Sequence, residues 1–80
     1  MDNNMNASNS ASQTKRILEY MSAGNKLTGL DALRMFGTMR LPARVADIEE
    51  LGHRVSRRRV QVRNAEGKEV YVVEYSMDEQ

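Results

Sequence analysis

The chain of 80 residues is predicted to fold as an α+β domain of three short helices followed by a C-terminal antiparallel β-hairpin. Three observations lead there. Apolar residues recur at helical spacing in three stretches between Ile17 and Leu51, and glycines (Gly24, Gly37, Gly52) close those stretches. After Gly52 the pattern turns extended: Val55, Val60 and Val62 mark one arm, and Val70-Tyr71-Val72-Val73-Glu74-Tyr75 is a β-branched and aromatic second arm. Asn64-Ala65-Glu66-Gly67-Lys68 supplies the turn between them.

Each element has its own local signals. Met1–Ser12 is rich in Asn, Ser and Ala and shows no apolar period, so residues 1–12 are expected to form a disordered tail. The first helix is then expected from Ser12 or Gln13, with Ser12 as N-cap and Ile17, Leu18 and Met21 on its apolar face. Gly24 with Asn25 gives a left-handed stop, and Lys26-Leu27 a short extended piece. Thr28-Gly29-Leu30-Asp31 has the form of a capping box, with Asp in place of the commoner Glu. The helix it opens is expected to bury Leu30, Leu33 and Phe36, with Ala32 and Met35 flanking them. Gly37 ends it, and Thr38 is placed to cap the third helix, where Leu41, Val45 and Ile48 share a stripe with Leu51 on its border. With Thr38 as cap, Pro42 falls at the fourth helical position, where its missing N–H begins to cost a bond; a start one or two residues later puts it in the first turn. In the hairpin, alternation sets Tyr71, Val73 and Tyr75 on one face and Val70 and Val72 on the other, and leaves open which face is buried. Residues 76–80 are read as an acidic tail and residues 13–75 as the domain.

Composition excludes much. A chain this short forms one domain near the lower limit for folding alone. It has no cysteine and one histidine, His53, so disulfides, thiolate metal sites and histidine-based catalysis are very poorly supplied. No nucleophile–base pair or glycine-rich phosphate loop is visible. The expectation is a non-enzymatic protein without cofactor, metal or small-molecule substrate. With no apolar run of membrane-spanning length and no secretory leader at the N-terminus, it is expected to be cytoplasmic and without a membrane partner.

Charge points to a partner. The net charge is only +1, yet residues 51–65 carry five arginines (54, 57, 58, 59 and 63) and no acidic residue, a local charge of +5. Acids gather elsewhere, at Asp47, Glu49, Glu50, Glu66, Glu69 and Glu74 and beyond. Such segregation produces a positive face on a nearly neutral molecule. Strict alternation puts Arg57 and Arg59 on one side of the ribbon and Arg58 on the other. One or two charges would guard a sheet edge against association; five suit a polyanion. Four neutralised phosphates correspond to a slope of log K against log salt of about −3.6.

Leu27-Thr28-Gly29-Leu30-Asp31-Ala32-Leu33, Phe36-Gly37-Thr38-Met39-Arg40-Leu41, and Ala43-Arg44-Val45-Ala46-Asp47-Ile48 before Gly52 together resemble the winged helix-turn-helix proteins, in particular small ones of phages and prophages. The resemblance implies a DNA reader in the third helix and a wing in the hairpin, and hence double-stranded DNA as partner. On that reading Arg40 and Ala43 reach into the major groove, since a guanidinium can fork onto guanine and a small side chain permits close approach. Thr28, Thr38 and Arg44 fix the helix, and Arg57, Arg58, Arg59 and Arg63 hold phosphates or reach the minor groove. Thr28 and Thr38 are helix caps first, and Arg44 can instead bridge to Asp47 at i, i+3. The sequence departs from the pattern at Pro42 and at Glu49-Glu50, so the acidic end of the helix is expected to face away from DNA or pair internally. The expected role is a small transcriptional regulator. The alternative is a protein-interaction adaptor or inhibitor of a host factor on the same fold, favoured by the acids at 47–50 and by Met35 and Met39. One module reads few base pairs, so a dimer, or another protein partner, is also expected.

Overall fold

The computed structural model describes the backbone of residues 2–77 and the side chains of residues 11–77. The order is α1 (Asp2–Ser22), β1 (Leu27–Thr28), α2 (Gly29–Phe36), α3 (Leu41–Glu50), β2 (Val55–Arg63) and β3 (Glu69–Met77). The strands form one antiparallel sheet in the order β1-β3-β2. Among the described residues no helix is long and apolar enough to cross a membrane.

Helix α1 starts about ten residues before the expected cap, so Ser12 lies inside it and residues 2–12, expected as a disordered tail, continue the helix. Neither Gly nor Pro interrupts Met1–Ala23, and once the packed end of α1 has nucleated, propagation needs only one backbone bond per residue. The packed end is anchored by Ile17 and Met21, both almost fully buried. Gly24 leaves the helix at a φ of 99°, a conformation that a side chain would strain, and Asn25 donates a 3.0 Å hydrogen bond to the carbonyl of Tyr20.

Strand β1 is only two residues long, Leu27 opposite Tyr75 and Thr28 opposite Glu74. The capping box then starts α2: the amide of Asp31 donates to Thr28 Oγ1 at 3.2 Å, and the amide of Thr28 donates to Asp31 Oδ2 at 3.1 Å. The buried face of α2 differs from expectation. Ala32 is fully covered and Phe36 half-buried, whereas Leu30 and Leu33 are 59% and 43% exposed. Ala32 and Phe36 are one turn apart, and the small Ala32 lets the helix lie close to its neighbours.

Gly37, at a φ of 71°, caps α2. Thr38 does not serve as the N-cap of α3; that place is Arg40, whose amide donates to Thr38 Oγ1 at 3.0 Å. The later start places Pro42 in the first turn, where its missing N–H costs nothing. Leu41, Val45 and Ile48 form the inward stripe, and Leu51 is 65% exposed. These three join Ile17, Met21, Leu27, Ala32, Val55 and Tyr75 in one core, and each fully buried aliphatic side chain contributes ~1.5–3 kcal/mol.

The hairpin turn is organised by Asn64, whose Oδ1 accepts from the amides of Glu66 and Lys68 at 2.9 and 3.0 Å. On β3 the face of Tyr71, Val73 and Tyr75 meets the core only at its base. Tyr75 is buried, but Tyr71 is 60% exposed, because the ribbon projects beyond the helices. Strand β3 also takes in Ser76 and Met77, which were expected in the acidic tail; the rest of that tail, residues 78–80, and Met1 of the N-terminal tail lie outside the described residues.

Candidate nucleic-acid interface

The register of the hairpin distributes its arginines. Pairing of Arg57 with Tyr75, Arg59 with Val73 and Arg63 with Glu69 puts those arginines on the face that carries Tyr75. Arg58, opposite Glu74, lies on the other face. The side chains are splayed to both sides of the ribbon, as alternation dictates.

Nor are all of them free. Arg57 makes a two-pronged contact with Glu49 of α3, Nη1 to Oε2 at 2.9 Å and Nη2 to Oε1 at 3.1 Å. That contact holds the Glu49 carboxyl below its ordinary value and raises the Arg57 guanidinium, in each case chiefly through the hydrogen bond. Arg58 approaches Glu74 at 3.7 Å and Arg63 approaches Glu69 at 3.5 Å. The stretch has no acid of its own, but the fold supplies carboxylates from α3 and β3. Exposed pairs of this kind are weak and exchange readily for another anion. Among the described residues Arg54 and Arg59 have no carboxylate partner. Arg59 lies over the Tyr71 ring, its guanidinium carbon 4.8 Å from the centroid, an arrangement that leaves the N–H groups available.

On α3 the exposed positions are Pro42, Ala46 and Glu50, with Met39 and Arg40 exposed just before the helix. Ala43, expected to reach outward, and Asp47 are half-covered, on the side of α3 where Thr14 of α1 meets Asp47. Arg44 is drawn in further: its side chain is 15% exposed and its Nε lies 3.3 Å from Asp47 Oδ2. Thr14 Oγ1 donates to the same carboxylate oxygen at 3.3 Å. Arg44 and Asp47 thus belong to the α1–α3 contact, the bridging alternative for Arg44. Thr38 is 6% exposed and Thr28 half-buried, so both act on α2 and α3 through caps and turns.

The structure therefore brings the exposed end of α3 at Arg40 into the same frame as Arg54, just before the ribbon, and Arg58, Arg59 and Arg63 on it, while Arg44, Thr28 and Thr38 support α3 from inside. Sequence reasoning missed one feature. A cleft of about 650 Å3 opens between the N-terminal ends of α2 and α3 and the ribbon, lined by Leu30, Pro42, Val60, Val62 and Val72 among others. The signal was the valine alternation on the face of β2–β3 opposite Tyr75, which asks for an apolar neighbour.

A family model described as a winged helix-turn-helix domain matches residues 12–80. No curated protein and no solved structure matches the chain.

Proposed function

The chain belongs to the winged helix-turn-helix domain family, and on that premise we propose that it binds double-stranded DNA. The N-terminal end of α3 enters the major groove, and the β2–β3 wing follows the phosphate backbone or the adjacent minor groove. The observation that carries this reading is the pairing of an exposed helix tip with an exposed basic ribbon. Arg40 stands at the start of α3, and the first turn of that helix holds no acidic residue, so its dipole favours phosphate approach. Arg40 reads a base edge, with Ala43 beside it at the groove wall. Arg59 and Arg63 meet phosphates from one face of the ribbon and Arg58 from the other. Arg57 is held back by Glu49, and Arg44 is a positioning residue that seats α3 on α1.

The finer role is a small transcriptional regulator of phage or prophage type. It rests on the resemblance carried by residues 27–48 together with a basic wing suited to duplex DNA. A chemical-shift titration of the full chain with mixed-sequence duplex at low salt tests the binding. Perturbations confined to Thr38–Arg44 and Arg54–Arg63 support it, and a spectrum unmoved by DNA rejects it.

A second reading, a protein-interaction adaptor on the same fold, is favoured by Met39 and Leu30, 82% and 59% exposed. The same titration separates the two, because an adaptor leaves the spectrum unchanged on adding duplex.

A further inference from the structure

The outward ridge at the start of α3 is nearly without hydrogen-bonding side chains. From Met39 to Ala46 the exposed residues are Met39, Arg40, Pro42 and Ala46, and Arg40 alone among them is polar. Met39 is 82% exposed. Pro42 and Ala46 lie at i, i+4 on one face of the helix, while Leu41, Val45 and Ile48 are held in the core. Ala46 stands further out than the half-covered Ala43. The next position on this row is Glu50, also exposed, and its carboxylate ends the apolar stretch.

A duplex offers such a ridge one apolar group. On their major-groove edges guanine, adenine and cytosine present acceptors and amines, whereas thymine adds a C5 methyl beside its O4. An apolar side chain pressed onto any of the other three desolvates polar atoms and returns no hydrogen bond. Against the thymine methyl it buries apolar surface on both partners. Selection then acts through attraction to one base and a penalty on the rest. The reach is short, because Pro42 to Ala46 spans about 6 Å along the helix axis, under two base-pair steps of about 3.4 Å. The unbranched thioether of Met39 adapts to the neighbouring step.

We propose that Met39, Pro42 and Ala46 are specificity-determining residues that select thymine, through its C5 methyl, within about two base pairs of the base read by Arg40. The inference rests on the DNA-binding reading of α3 and names the sequence class that reading left open. Arg40 supplies the polar contact that fixes register, and the apolar ridge around it makes a thymine-containing site the preferred one. Single exposed apolar residues carry no such meaning. Here three of them flank the one exposed donor on the part of α3 that faces outward.

Duplexes selected from a random pool by the full chain supply the site. Fluorescence anisotropy then compares each thymine of that site with deoxyuridine, which pairs identically and lacks only the methyl. Deoxyuridine at one or two neighbouring thymines is expected to weaken binding about fourfold per methyl, the transfer value of one buried carbon group. Deoxyuridine elsewhere in the site is expected to change nothing. Ala46→Gly and Met39→Ser, with circular dichroism confirming the native fold, are expected to narrow the ratio between the thymine and deoxyuridine forms. A selected pool without enriched thymine, equal binding of both forms throughout, or a ratio that both variants keep in full overturns the proposal. Each of those results leaves DNA binding standing and the ridge to a protein partner. A chain that binds no duplex at low salt overturns both readings together.

Discussion

Glu49 and Arg57 tie α3 to the wing through two hydrogen bonds of 2.9 and 3.1 Å across the Gly52 turn. The contact sets a carboxylate in competition with any other anion for the wing arginine nearest α3. It sets a carboxylate between two elements proposed to grip one polyanion.

Glu49→Gln releases Arg57. Duplex affinity at low salt is expected to rise several-fold, with the salt slope steeper by about 0.9 if one further phosphate is engaged; fluorescence anisotropy at several salt concentrations reads both. The variant also tests linkage. A carboxyl held below its ordinary value of 4.5 contributes stability above that value and loses it as pH falls through the depressed one. Wild-type melting temperature should therefore drop on acidification below about pH 4.5, and Glu49→Gln should lack that part of the drop.

Arg40→Ala is expected to alter sequence preference rather than general affinity. A forked contact to guanine is worth ~1–3 kcal/mol of discrimination, so binding to a selected site should fall by that amount while binding to mixed sequence changes little. Equal loss on all duplexes would assign Arg40 to a phosphate.

Thr28→Ala breaks one half of the capping box of α2. A loss of ~1 kcal/mol in urea denaturation is expected, without a change in salt slope, because Thr28 is half-buried and acts on the fold.

Ile48→Ala, at a fully buried position of the α3 stripe, should cost ~2–5 kcal/mol. In a domain this small that is much of the total. Melting by circular dichroism should show a strongly destabilised or unfolded chain.

Much of this fold is legible in local signals. Thr28 with Asp31, Gly37, and the Leu41-Val45-Ile48 stripe each lie within one or two turns of chain, where sequence and geometry correspond directly. The outward turn of Leu30 and Leu33 was not legible, since periodicity in a helix of two turns fits Leu30-Leu33 as well as Ala32-Phe36, and only the closeness of packing around Ala32 decides. The early start of α1 escaped because a polar helix without a stop signal has no apolar period to report it. At the site, the basic ribbon and Arg40 were visible as a charge pattern. The partners of Arg57, Arg58 and Arg63 were not, because which carboxylate meets which guanidinium depends on strand register and on how α3 crosses the sheet. Arg44 shows the opposite case: its i, i+3 spacing to Asp47 already contained the bridge that covers it.

The salt dependence of duplex binding tests the central claim most directly. For wild-type protein, log K against log salt should fall with a slope of about −2.7 if the three phosphates met by Arg58, Arg59 and Arg63 are neutralised, and Arg59→Ala with Arg63→Ala should bring it to about −0.9 on every sequence. A slope near zero, or one the double variant leaves unchanged, would contradict the assignment of the wing to the phosphate backbone.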